Sequence, residues 1–202
     1  TLAQINELMH HDNMVNMDTR TVLAGLDYGQ FEITNEAFQQ MSPFGRDMIV
    51  SSQTHKAYNT MNEHLSWLTQ LKSTAELSVR YVPLKNISGG WKQDEYEISR
   101  TDKKFFRVIG TRVNISNREV TSWCQPLVQP MQQGICAFII KKINGIYHFL
   151  VHAKMECGNM DVYELAPTVQ CLTGNLQDVP KASWPAFTEY VLNAQPAQIL
   201  YE

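Results

Sequence analysis

Leu2, Ile5, Leu8 and Met9 recur at helical spacing behind Thr1, a residue suited to capping, so the chain opens on a short amphipathic helix. From "NMVNMDTRTVLAGL" through "ITNEAFQQMSPFGRDMIVSSQTHK" the periodicity is poor, with Pro43 and Gly45 as breakers, and a long connection is expected there. "AYNTMNEHLSWLTQLKS" then sets Met61, Leu65, Leu68 and Leu71 on one stripe and predicts a second helix. After it the period falls to two. "ELSVRYVPL", "KKFFRVIGTRVNI" and "REVTSWCQPLV" each predict a strand, bounded by turn-rich stretches such as "NISGGW". In "ICAFIIKKINGIYHFLVHAKM" two β-rich runs meet at Asn144-Gly145, a dipeptide that takes the positive φ angles of a type I′ turn, and this hairpin is expected at the centre of the sheet. "VYELAPTVQCL" is a strand interrupted by Pro167, at an edge or a bulge. "SWPAFTEYVLN" closes as a helix, with Ser183 as cap and Pro185 in the first turn. The sum is an α+β fold: a mixed, mostly antiparallel sheet flanked by helices.

Composition narrows the function. With 202 residues, 44% hydrophobic and 18% charged, one good core and one compact domain are the default. A net charge of −3 provides no positive field for a nucleic-acid backbone. No apolar run approaches the roughly 20 residues that span a bilayer, and "TLAQINELMHHDN" lacks the order of a signal peptide, so no membrane partner and a cytoplasmic location are expected. Cys124, Cys136, Cys157 and Cys171 form no C-x-x-C pair, which excludes a zinc ribbon or thioredoxin-like site by spacing and predicts free, mostly buried thiols. His148 and His152 would face one metal from a helix, but in a strand they merely share a side, and no metal site is expected. No G-x-S-x-G elbow, P-loop, dinucleotide G-x-G-x-x-G or H-E-x-x-H motif occurs. Gly89-Gly90 reads as a turn, with phosphate binding the weaker alternative.

The stretch "HFLVHAKMECGNMD" carries an apolar strand into a dense polar run. If that strand continues through residue 156, Val151, Ala153 and Met155 face one way while His152, Lys154 and Glu156 face the other. Trp123 and Gln125 likewise share a side of their strand, as do Glu164, Thr168 and Gln170, allowing for Pro167. Three strands lining one polar pocket fit this alternation, and so does an ordinary solvated sheet face.

At "REVTSWCQPLVQP", "GIYHFLVHAKMECGNMD" and "ELAPTVQC" the chain resembles the NDP-hexose 2,3-dehydratase family, from about Trp67 to the end. The resemblance rests on Trp123, Gln125, Pro126, the run Ala153-Lys154-Met155-Glu156, Gly158-Asn159 and Pro167-Thr168-Val169-Gln170. It implies tandem modules with a fold similar to Nudix hydrolases. The acidic Nudix box is missing, so diphosphate hydrolysis is not implied. "LMHHDNMVNMDTRTVLAGL" resembles the tail that closes a module. Residues 1–25 are therefore expected to finish a preceding module, 26–56 to connect, and 57–202 to form a dehydratase module without its own tail. The chain departs from the family pattern at Cys157, where Pro is common, and at "CLTGN", where an Arg often follows.

The implied activity is cofactor-independent elimination of water across carbons 2 and 3 of an NDP-4-keto-6-deoxyhexose, with a dTDP-linked substrate and a homodimer or paired modules. In that chemistry Glu156 serves as base, while Lys154 or His152 stabilises the enolate or protonates the leaving oxygen. Trp123 offers a flat face, and Gln125, Asn159, Thr168 and Gln170 orient hydroxyls or the nucleotide; Asn159 alternatively holds a tight turn. The competing expectation is a non-catalytic module that binds nucleotide sugars or serves assembly.

Overall fold

A computed structural model describes residues 1–26, 28, 30–34 and 36–202 of the chain. Its helices are α1 (Leu2–Met9), α2 (Met17–Leu23), α3 (Glu36–Gln40), α4 (Pro43–Gln53), α5 (Met61–Thr74) and α6 (Thr188–Leu192). Its strands are β1 (Trp91–Gln93), β2 (Glu97–Arg100), β3 (Phe106–Asn114), β4 (Ser122–Pro130), β5 (Gly134–Ala137), β6 (Ile139–Ile143), β7 (Ile146–Leu150), β8 (His152–Lys154), β9 (Glu164–Ala166) and β10 (Val169–Leu172). The class is α+β with antiparallel strand pairing. The chain divides into two compact units: Thr1–Val79 with Cys136–Gln170 and Pro185–Glu202, and Arg80–Ile135 with Cys171–Trp184.

In the first unit the helices start where local chemistry tells them to. Thr1 and Gln4 form a capping box on α1, and Thr60 and Glu63 form another on α5, so orphan N–H groups at both helix starts are satisfied within the helix itself. Leu2 and Ile5 of α1, Leu23 of α2 and Met48 of α4 make one buried cluster, against which Tyr147, Phe149 and Val151 pack. Leu8, Val15, Leu68 and Leu165 make a second, joined by Leu65, Val151 and Ala153. Each such side chain contributes about 1.5–3 kcal/mol through burial, so α1, α5 and β9 are held by packing rather than by propensity alone. Residues 14–16 add a parallel bridge to β9: Leu165 N–H donates to the Met14 carbonyl at 2.8 Å and Asn16 N–H to the Leu165 carbonyl at 2.9 Å.

The Asn144-Gly145 turn forms as the dipeptide demands, with φ of 51° and 82° joining β6 to β7. The hairpin makes a two-stranded sheet, not the centre of a larger one. Beyond it the strand does not run on to residue 156: β8 pairs separately with β9, in the register His152↔Ala166, Ala153↔Leu165 and Lys154↔Glu164, and stops at Lys154. Pro167 interrupts the next run as expected, dividing β9 from β10.

The second unit is built on a four-stranded antiparallel sheet in the order β1-β2-β3-β4, whose longest pairing sets Val113 opposite Trp123 and Thr111 opposite Gln125.

Several expectations fail for identifiable reasons. "ELSVRYVPL" forms no strand; its alternation finds no partner, and Val79 and Tyr81 are exposed. Pro43 begins α4 instead of breaking the chain, because Ser42 caps Gly45 N–H and a proline at N1 forgoes an N–H that would be orphaned anyway. The expected connection, residues 26–56, thus carries α3 and α4. Ser183 lies in a 3-10 turn and Pro185 precedes the last helix, which begins only after Phe187 and has no side-chain cap. The cysteines are free but not buried: Cys124, Cys136 and Cys157 are exposed and Cys171 is partly so. Among the described residues no helix is long and apolar enough to cross a membrane.

Candidate active site

The face of β8 opposite the core carries His152 and Lys154, because Ala153 and Val151 are taken by the hydrophobic clusters. Glu156 lies beyond the strand in the following turn, yet its carboxylate Oε1 is ion-paired with Lys154 Nζ. The side chains of Lys154 and Glu156 keep 24% and 37% of their surface exposed, so a ligand can reach the pair. Gln170 Nε2 donates to the same Glu156 oxygen at 3.5 Å and also to Asp18 Oδ2, while Gln170 Oε1 accepts from Asn16 Nδ2 at 2.7 Å. His152 Nδ1 lies 2.7 Å from the Pro167 carbonyl, which can only accept, so Nδ1 carries the proton. Nε2 has no partner among the described residues and is the nitrogen available for proton transfer.

Glu164, the register partner of Lys154, is a second carboxylate on this face. Burial pushes its carboxyl above the ordinary range, and the Glu156 and Asp161 carboxylates add to this, against the opposing influence of Lys72 and Arg20. Asp161 is held below its usual range by its hydrogen bond to Lys72, whose Nζ stands 2.6 Å away.

The remaining candidates are placed differently. Asn159 Nδ2 donates to the carbonyls of Lys154 at 3.1 Å and Val162 at 3.5 Å, which fastens the turn that presents Glu156. Thr168 is buried; its hydroxyl accepts from Ile139 N–H at 2.9 Å and donates to the Leu150 carbonyl, pinning the Pro167 break to β6 and β7. Trp123 and Gln125 do share a side of β4, where Trp123 Nε1 donates to Gln125 Oε1 at 2.8 Å, and they belong to the second unit. In the first unit, then, Glu156, Lys154 and Gln170 are in contact and His152 shares the Lys154 face. In the sequence Glu164 is visible only as a residue alternating with Thr168 and Gln170. No spacing or periodicity in the sequence ties Asn16 and Asp18 to this site, although both lie in the N-terminal run that resembles the family. Among the described residues no group of three or more His, Cys, Asp or Glu side chains is arranged to hold a metal ion.

A carboxylate, a cation and an imidazole on one accessible face are the groups needed to move a proton and to stabilise a developing oxyanion.

Comparison with known proteins is consistent with this chemistry. Residues 61–202 match the family model described as NDP-hexose 2,3-dehydratase. The chain is 38% identical over 203 residues to a dTDP-4-dehydro-6-deoxy-alpha-D-glucopyranose 2,3-dehydratase of Saccharopolyspora spinosa, covering 100% of this chain and 41% of that protein. It is 39% identical over 202 residues to a protein of the same name from Amycolatopsis orientalis, covering 100% of this chain and 38% of the relative. A third, from Streptomyces violaceoruber, is 38% identical over 200 residues, with 97% and 41% covered. The chain thus spans about two-fifths of the length of these curated relatives.

Proposed function

The chain belongs to the NDP-hexose 2,3-dehydratase family, and from that premise we propose that it eliminates water across carbons 2 and 3 of a dTDP-linked 4-keto-6-deoxyhexose without a cofactor. The observation that carries this reading is the accessible Lys154–Glu156 pair, braced by Gln170 within the family-matched region.

The 4-keto group acidifies the hydrogen on carbon 3. Glu156 takes that proton, the C3–H electron pair passes into an enolate, and the oxygen on carbon 4 carries the developing charge. Lys154 stabilises that charge, at the cost of loosening its grip on Glu156 as the carboxylate is protonated. The enolate collapses, the C2–O bond breaks, and the hydroxyl leaves as water with a proton from an acid on this face; we assign that role to His152 as imidazolium, which keeps Nδ1–H on the Pro167 carbonyl and gives up the proton of Nε2. The double bond between carbons 2 and 3 now bears the carbon-3 hydroxyl. This enol takes a proton at carbon 2, releases the proton of its carbon-3 hydroxyl, and becomes the 3,4-diketo-2,6-dideoxy sugar nucleotide. Only water is lost, and no electrons enter or leave. Paired modules, in one chain or in a homodimer, are the assembly this reading implies.

The test is incubation with dTDP-4-keto-6-deoxyglucose in deuterated water, with the vicinal diketone trapped by an aromatic diamine. A trapped product with deuterium on carbon 2 is expected. Binding of the nucleotide sugar with no trapped product would favour the non-catalytic module instead.

A further inference from the structure

Gln170 has three polar neighbours and only one amide orientation that satisfies them. The orientation is set from the N-terminal segment. Asn16 is 4% exposed and caps α2, its Oδ1 accepting from Thr19 N–H at 3.0 Å. A backbone N–H can only donate, so Asn16 must turn its Nδ2 the other way, and that nitrogen meets Gln170 Oε1 at 2.7 Å. Gln170 is thereby obliged to present both of its N–H donors to carboxylates, one to Asp18 and one to Glu156. Each carboxylate is an acceptor only, so a flipped amide would aim its carbonyl oxygen at two anions and leave Asn16 without an acceptor. The segment that carries Asn16 and Asp18 is itself fixed by the backbone bonds of residues 14–16 to Leu165 and by Arg20, whose guanidinium donates to the carbonyls of Val15, Met9 and His11.

We propose that Asn16 is a positioning residue for the dehydration: through Gln170 it holds the Glu156 carboxylate in place, so that the module's site is completed by residues 16–18. This rests on Glu156 acting as the base. Among the described residues, the charged groups that share contacts with Glu156 or its neighbours include Lys154 on β8, Glu164 on β9 and Asp18 on α2, and none of these three supplies a neutral donor that could replace the amide. Asn16 touches no reacting atom. Its effect belongs to turnover and not to substrate affinity.

Asn16→Asp separates the two duties of the residue. Aspartate keeps the capping oxygen for Thr19 N–H but supplies an acceptor where Gln170 needs a donor, so the Gln170 amide turns over. Asn16→Ser keeps a capping oxygen but is shorter and lacks the Nδ2 amide, so with its one oxygen engaged by Thr19 N–H it withdraws the donor from Gln170 without adding charge. In both variants kcat should fall about 10-fold or more, the scale of a lost hydrogen bond to a charged group, with KM within about two-fold of wild type; the thermal midpoint should be little changed in Asn16→Ser and lowered in Asn16→Asp, which buries a charge. In 15N-labelled protein the Gln170 side-chain amide resonances should move in both. Unchanged kcat in both variants with active wild type would overturn the proposal, as would unmoved Gln170 resonances. If the wild-type protein binds the dTDP-4-keto sugar without converting it, the dehydratase reading fails, and the resonances alone decide whether Asn16 sets the amide.

Discussion

Replacing Thr168 with valine asks whether this residue serves the substrate or the fold. The two side chains are nearly the same shape, so the change removes a hydroxyl and little volume. In the native protein that hydroxyl is buried, accepts from Ile139 N–H and donates to the Leu150 carbonyl. Valine strands the Ile139 N–H, at a cost of about 1–3 kcal/mol for a buried unsatisfied donor, and forfeits the bond to Leu150, worth about 0.5–1.5 kcal/mol net. The sum is roughly 1.5–4.5 kcal/mol. For a chain of this size each kcal/mol lowers the melting midpoint by about 2–4 °C, so a loss of several degrees is expected. Because the chain has two units, global unfolding should be paired with hydrogen exchange at the Ile139 amide, which reports the affected site directly. Exchange there should accelerate in Thr168→Val, while Thr168→Ser, which keeps the hydroxyl, should stay close to wild type. Equal stability and equal Ile139 protection in Thr168→Val, together with a raised KM, would refute the reasoning and return Thr168 to the substrate.

Further outcomes follow from the same geometry. Burial raises the Glu164 carboxyl above its ordinary value of 4.5, so its charged form is disfavoured in the folded state. Its contribution to stability is whole below the unfolded value and is lost as pH rises through the folded one. Glu164→Gln should therefore match wild type in urea unfolding near pH 4 or below and exceed it near neutrality; a variant less stable at neutral pH would contradict this. Gly145→Ala, at φ +82°, should cost about 1 kcal/mol or more through left-handed strain, read in the same unfolding curves. Chelation should leave turnover intact; activity lost to a chelator and restored by one divalent ion would overturn the metal-free mechanism.

Several signals whose deciding interaction is local were legible. The capping residue Thr1 and the Asn144-Gly145 turn act within a few residues, and α1 and the hairpin stand where those residues put them. Pro43 and Gly45 misled because a proline breaks a helix interior but suits its first turn, and only the Ser42 bond to Gly45 N–H tells the two cases apart. The alternation in "ELSVRYVPL" misled because a strand needs a partner that alternation does not supply. The same division runs through the site. Lys154 and Glu156 are neighbours in sequence and could be paired on sight. Asn16 and Asp18 reach Gln170 across 154 and 152 positions, and no periodicity connects them. Asn159 and Thr168 look like ligand-binding amide and hydroxyl groups, but backbone carbonyls and an N–H, which carry no sequence signature, occupy them.

The central claim is that Glu156 removes the proton from carbon 3. Glu156→Gln keeps the shape and a hydrogen-bonding head while removing basicity, and the direct measurement is exchange of the carbon-3 hydrogen of dTDP-4-keto-6-deoxyglucose with deuterated solvent. Exchange should stop, and turnover should fall by about 100-fold or more, with nucleotide binding little changed. Near-normal exchange in Glu156→Gln would remove Glu156 from the role of base and pass it to His152.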